Sequence, residues 1–96
     1  MAQRVQKEPL NLDFANGAKI SLSGASQQTA AFNGAGALWI VTDTLCYFRT
    51  GSNPTAAADG TSAALPPGLG LIVRINPGDK LAAIGSSGNL VATPVL

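Results

Sequence analysis

The chain alternates short apolar stretches with polar or glycine-rich breaks, and this pattern predicts β-strands rather than helices. Its most apolar part, residues 37–51, reads ALWIVTDTLCYFRTG, in which two β-forming stretches flank a short polar break. The break predicts a hairpin whose adjacent strands are residues 38–41 and 45–48. No window shows the 3.6-residue period of an amphipathic helix over three turns. The pattern therefore predicts that this segment forms the centre of a β core.

The residues before this segment predict a first hairpin and a weak strand. Residues 10–14 (LNLDF) and 18–23 (AKISLS) alternate apolar and polar side chains, as half-buried strands do. Asn16-Gly17 lies between them and is a typical two-residue hairpin turn. Residues 26–32 (SQQTAAF) hold few large apolar groups, which indicates a strand at the edge of a sheet.

A loop and three further strands are predicted after the central segment. Residues 50–64 (TGSNPTAAADGTSAA) lack large apolar side chains and predict a surface loop, either a plain connector or a binding loop. Strands are predicted at 69–75, 80–84 and 89–95, and Pro94 fits only an edge strand or a strand end. The total of seven or eight short strands predicts an all-β fold, a compact antiparallel β-sandwich that is jelly-roll-like or a small barrel.

Length and composition add a weakness to this fold. The chain has 96 residues, enough for one domain, which we divide into an N-terminal arm with a first strand (1–17) and a β-sandwich domain (18–96). Hydrophobic residues make up 46%, but many of them are Ala, which adds little buried area. The thin core predicts that oligomerisation or docking onto a larger body supplies part of the stability.

The charged and reactive side chains exclude several classes of function. Six basic and five acidic residues are scattered along the chain, so direct nucleic-acid binding is not expected. The sequence has no His and a single Cys, Cys46, which rules out an internal disulfide and leaves too few ligands for a zinc site. We expect a buried, inert thiol, and no catalytic residues, cofactor or metal. No signal peptide or membrane-spanning stretch is visible, which predicts a soluble protein made in a reducing cytoplasm.

The order of elements resembles small structural proteins of tailed-bacteriophage virions. The resemblance rests on ASQQTAAF, GALWIVTDTLCYFRTGSNPTAAA, LPPG and the closing GDKLAAIGSSGNLVATPV, and it covers residues 26–95. It implies a non-enzymatic virion protein that decorates or cements the capsid and is assembled in the host cytoplasm. The implied partner is the major capsid protein or another virion protein. Proteins of this kind form trimers or dimers on symmetry axes, and a trimer is favoured here.

The N-terminal arm is the predicted attachment site. An arm lying on neighbouring capsid subunits would contact them through Leu10, Leu12 and Phe14, by strand addition to a partner sheet. Arg4 and Lys7 would contact an acidic capsid surface. The alternative for the three apolar residues is a place in the core, and the alternative for the two cations is solvated surface charge.

A tail, neck or fibre component that binds a receptor or carbohydrate is the second hypothesis. Such sites commonly offer exposed aromatic rings, and Trp39 or Tyr47 would serve with the loop at 50–64 as a frame. Both aromatic residues lie within apolar strands, however, and this position favours a core role for each of them.

Overall fold

The computed structural model describes residues 11–34 and 36–95, in which one short 3-10 helix, Phe14–Asn16, precedes eight β-strands. The strands are β1 (Ala18–Ser21), β2 (Gln27–Gln28), β3 (Ala37–Thr42), β4 (Cys46–Gly51), β5 (Ala63–Leu65), β6 (Leu71–Arg74), β7 (Lys80–Ile84) and β8 (Asn89–Val95).

The strands form two four-stranded antiparallel sheets. Sheet A has the order β1-β8-β3-β6, and sheet B has the order β2-β7-β4-β5. This is the strand order of an eight-stranded jelly roll, in which two Greek keys wrap around one core. The predicted all-β sandwich is therefore confirmed, and its topology is the jelly-roll alternative.

The core lies between the inner faces of the two sheets, where alternate residues of each strand meet. In sheet A, Leu38, Ile40 and Leu90 are fully buried, and in sheet B, Leu81 and Ala83 are fully buried. In β3 and β8 the neighbours of these buried residues along the strand are partly or largely exposed, as the two-residue period of a strand requires. In β7, Ala82 lies between Leu81 and Ala83 and is buried as well. Burial of apolar area at these positions is the main stabilising contribution.

The predicted central hairpin is wrong, because β3 belongs to sheet A and β4 to sheet B. The chain crosses between the sheets at Thr42, whose buried hydroxyl donates a hydrogen bond to the carbonyl of Thr44 at 2.7 Å. The N–H of Asp43 donates to the carbonyl of Asn89, and Gly68 N–H donates to the carbonyl of Thr42. These bonds hold a bend that sends the second apolar stretch to the opposite sheet.

The predicted first hairpin is also wrong. β1 pairs with β8, at the other end of the chain, and not with the residues just before it. Those residues form the 3-10 turn, which is held by a 2.6 Å hydrogen bond from the Asn16 amide to the Asp13 carboxylate. Of the described residues in the predicted first strand, Leu12 makes a single bridge to Val95. The local turn signal at Asn16-Gly17 is thus outweighed by pairing with a central strand.

Other local predictions are confirmed. β2 is short and lies at an edge of sheet B, and β7 and β8 have the predicted bounds. Pro94 is the next-to-last residue of β8, and its carbonyl accepts a hydrogen bond from the N–H of Asp13. Cys46 is fully buried, and this burial raises the pKa of its thiol above the ordinary value.

Candidate interaction surface

Sheet A carries an apolar outer face. Trp39 and Val41 alternate with buried residues of β3 and therefore point away from the core. Trp39 lies level with Ile72 of β6, and Val41 lies level with Val91 of β8. Trp39, Ile72 and Val91 are 37%, 51% and 41% exposed. We call Trp39, Val41, Ile72 and Val91 the apolar face.

The indole of Trp39 lies over the backbone of Gly70, just before β6. A Cβ built on Gly70 would lie 2.5 Å from Nε1 of Trp39, closer than any side chain tolerates. Only glycine allows the ring to cover the backbone at this point. The expected core role of Trp39 is therefore wrong, and Tyr47 is half-buried on the outer side of sheet B.

Replacing Gly70 with Ala is expected to displace the Trp39 indole from the sheet. Because Trp39 is the single tryptophan, its fluorescence reports this position alone. We expect a red-shifted emission maximum and stronger quenching by acrylamide than in the wild type. Gly36→Ala is the matched control, since a Cβ at Gly36 meets nothing within 4 Å. Unchanged emission in Gly70→Ala would contradict the stacking of the ring on the strand.

Two cations border the apolar face at opposite corners. Lys19 is exposed on β1 and lies level with Val91. Arg74 is exposed at the end of β6 and lies level with Ala37. A face with an apolar centre and a charged border has the composition of a protein-binding surface. The chemistry it fits is an apolar surface whose border presents carboxylates to Lys19 and Arg74.

The outer face of sheet B is instead covered in part, near β2 and β7, by the loop at 52–62. Gln28 of β2 donates from its side-chain amide to the carbonyl of Pro54 at 2.9 Å, and Ala56 N–H donates to the Ser26 hydroxyl at 2.9 Å. Pro54 and Ala56 are buried, and so is Ala82, which alternation places on the outer side of β7. The loop is therefore neither a plain connector nor a free binding loop, since it covers the sheet.

The predicted site residues that the structure describes, Leu12 and Phe14, are not among the four residues of the apolar face. Leu12 is half-buried at its bridge to Val95, beside the β1 edge of sheet A. Phe14 follows in the 3-10 helix and is 79% exposed, so it is not a core residue. The other three predicted residues, Arg4, Lys7 and Leu10, lie outside the described residues.

Sequence reasoning missed Val91 as a surface residue. The available signal was that β3, β6 and β8 carry apolar residues at both odd and even positions. Strands of this composition are apolar on both faces, which requires a second covering layer or leaves one face bare. The loop at 52–62 supplies that layer for sheet B, and among the described residues no corresponding loop lies on sheet A.

Each carboxylate among the described residues accepts at least one hydrogen bond. Asp43 accepts a 2.8 Å hydrogen bond from Asn89 N–H, and Asp79 accepts one from Asn76 N–H. Hydrogen bonds from the hydroxyl and N–H of Thr61 lower the pKa of Asp59 below its ordinary value. Within residues 11–34 and 36–95, no cluster of three His, Cys, Asp or Glu side chains could hold a metal ion.

A cleft of about 520 Å³ opens between the start of sheet A and the segment at 30–34. Asp13, Asn16 and Asn33 supply polar groups to its wall, and Phe32 and Pro94 supply apolar ones. The Asp13 carboxylate is already bound by the Asn16 amide, and Phe32 is almost fully buried. Among the described residues that line the cleft, no aromatic ring is exposed, and the one carboxylate is already hydrogen-bonded.

Comparisons with protein-family models, with curated proteins and with solved structures give no match. In the described part of the chain, no helix has the length and apolar character needed to cross a membrane. The fold and the apolar face are therefore the structural basis for assigning a function.

Proposed function

We propose that this chain is a non-enzymatic structural protein of a tailed-phage virion that decorates or cements the capsid. Its partner is the major capsid protein or another virion protein, and it acts as a homo-oligomer, a trimer or a dimer. The observation that carries the proposal is the apolar face bordered by Lys19 and Arg74. The resemblance of residues 26–95 to small virion proteins supports the same assignment.

The proposed mechanism is attachment through many weak contacts repeated by symmetry. The apolar face removes Trp39, Ile72 and Val91 from water on docking, and each cation meets a carboxylate of the partner. The outer side of one four-stranded sheet offers only a small interface. Joining several copies in one oligomer multiplies the affinity without any new type of contact, because later binding events become intramolecular.

The N-terminal arm adds a second contact in this proposal. Leu12 bridges to Val95 at the end of β8, the strand that pairs with β1 at this edge of sheet A. Arg4, Lys7 and Leu10 then lie on a neighbouring virion protein, together with the exposed ring of Phe14. A variant that lacks residues 1–10 keeps Leu12 and its bridge to Val95. We expect this variant to bind the virion partner more weakly while its domain stays folded.

Reversing both bordering charges tests the proposed surface. We expect Lys19→Glu combined with Arg74→Glu to weaken cosedimentation with purified phage heads by at least about tenfold, because two attractions become repulsions. Arg49→Glu is the control, since Arg49 is also an exposed cation but lies on sheet B. Full binding by the double variant would place the contact elsewhere, and no binding by the wild type would overturn the virion role.

The exposed ring of Trp39 favours carbohydrate or receptor binding as a second candidate function. Jelly rolls also serve as lectin domains, and an exposed aromatic ring is a common platform for a sugar. In this alternative the chain belongs to the tail, neck or fibre. Two measurements separate the two functions: screening on a glycan array, and titration with host-cell polysaccharide monitored by Trp39 fluorescence. Saturable quenching that Trp39→Phe removes would favour the carbohydrate module.

A further inference from the structure

One of the four sheet edges is open and apolar, and it is the edge formed by β6. Ile72 is 51% exposed and Leu71 38% exposed, and in the described part of the chain only β3 pairs with this strand. Exposed edges of this kind pair readily with another strand. The edge also borders the apolar face, because Ile72 belongs to both.

The other three edges are protected. β1 carries exposed Lys19, and charge on an edge strand discourages pairing. β2 has two residues, and the Gln28 side chain is bound to the loop at 52–62. β5 has three residues and is followed at once by Pro66 and Pro67, which have no N–H to donate. β6 has neither a proline nor a charged residue before Arg74 at its end.

The direction of the backbone groups of β6 follows from one hydrogen bond. Ile75 N–H donates to the carbonyl of Gly36 at 3.0 Å, so this pair is hydrogen-bonded across the two strands. Hydrogen-bonded pairs recur at every second residue of an antiparallel ladder, which places Val73 and Leu71 in the pairs that face β3. The N–H and C=O groups of Ile72 and Arg74 therefore point outward, along the open edge.

We propose that β6 of two copies of this chain pair antiparallel around a two-fold axis and join the two A sheets into one eight-stranded sheet. A hydrogen-bonded pair across the new junction needs an outward-pointing residue from each copy. Centring the axis on Val73 sets Ile72 opposite Arg74 of the second copy. Centring it on Ile72 sets Ile72 opposite Ile72. Both registers satisfy the alternation of β6, so the edge is complementary to itself.

The charges of β6 also suit this pairing. In neither register does Arg74 lie opposite Arg74 of the other copy, so like charges do not meet directly across the junction. With the axis on Val73, the aliphatic part of Arg74 covers Ile72 of the second copy. The joined sheet places the two apolar faces side by side on one surface, which doubles the area available for docking on a capsid.

This inference deepens one part of the proposed function, namely that the chain forms a homo-oligomer, and it rests on that part alone. A two-fold junction gives a dimer rather than the trimer that the resemblance favours. The geometry of β6 alone sets this expectation, and it holds whether the docking partner is a capsid or a glycan.

The test uses the full chain and a proline placed on the outward side of β6. Ile72→Pro removes a donor that points to solvent in the monomer, so the pairing of β6 with β3 keeps its hydrogen bonds. In the dimer the same change removes two hydrogen bonds and inserts two rings into the junction. Ile72→Thr is the matched control, because it shortens the apolar side chain and keeps the N–H.

Light scattering over a tenfold range of concentration gives the result. We expect the wild type and the Ile72→Thr variant to be dimers. For Ile72→Pro we expect the dissociation constant of the dimer to rise at least about 100-fold. A monomeric wild type, or an Ile72→Pro variant as dimeric as the wild type, would overturn the pairing. A trimer that Ile72→Pro leaves intact would also overturn it, while the virion role would stand. A dimer that fails to bind heads would overturn the virion role and keep the pairing.

Discussion

Replacing Leu90 with Ala is expected to lower the free energy of unfolding by about 2–5 kcal/mol. Leu90 is fully buried in β8, where it lies level with Ile20 on one side and Thr42 on the other. β8 is a central strand of sheet A, so neighbours on both sides prevent collapse of the cavity. Domains of this size have about 5–15 kcal/mol of stability in total, and this thin core leaves little reserve. Urea unfolding followed by circular dichroism measures the change.

Val91→Ala is the matched control for this prediction. Val91 is the next residue of the same strand, but it points to the apolar face and is 41% exposed. Its truncation is expected to cost less than about 1 kcal/mol, mainly through lower β propensity. Similar costs for the two substitutions would contradict the assignment of inner and outer faces on β8. It would also remove the basis for treating the outer side of sheet A as a free surface.

The positions of the strands could be predicted from the sequence because they depend on local chemistry. β7 and β8 have the bounds expected from apolar stretches enclosed by the turns NPGD and GSSG. The polar segment before β3 forms the short edge strand β2, as its lack of large apolar side chains indicated. In each case the residues that determine the element lie within or next to it.

The pairing of the strands could not be predicted in the same way. A short polar break after β3 suits a hairpin and an arch between sheets equally well, because both need a bend at this point. The arch is selected by distant partners, since Ile40 pairs with Ala92 and Phe48 with Ala83. The buried hydroxyl of Thr42 then satisfies backbone groups within the bend. Neither partner is visible from the local sequence.

The candidate surface was hidden for a related reason. Leu38, Trp39, Ile40 and Val41 are all apolar, so alternation divides them between two faces without indicating which face is covered. That information comes from the loop at 52–62, which looks like a simple connector because its residues are small. Pro54 and Ala56 are buried against sheet B by hydrogen bonds to β2 and the residue before it. Sheet A then remains as the face that offers Trp39.

Replacing Gly88 with Ala is expected to destabilise the protein by about 3–5 kcal/mol, which approaches complete loss of the fold. Gly88 precedes β8 and has a φ of +99°, a conformation that costs other residues about 1–2 kcal/mol. A Cβ at this position would also collide with Oδ1 of Asp43 and with the Thr44 side chain. Moving Asp43 breaks its hydrogen bond to Asn89 N–H, which ties the arch to β8. Thermal unfolding monitored by circular dichroism measures the loss.

Gly60→Ala separates the two causes of this effect. Gly60 has a φ of +92°, close to that of Gly88, but a Cβ there meets nothing within 4 Å. We expect it to cost about 1–2 kcal/mol from backbone strain alone. The difference between the two variants then measures the contact of Gly88 with the arch. Equal costs would mean that Asp43 and Thr44 yield freely and do not anchor β8. A larger cost for Gly88→Ala would show that Asp43 and Thr44, in the bend between β3 and β4, hold the start of β8.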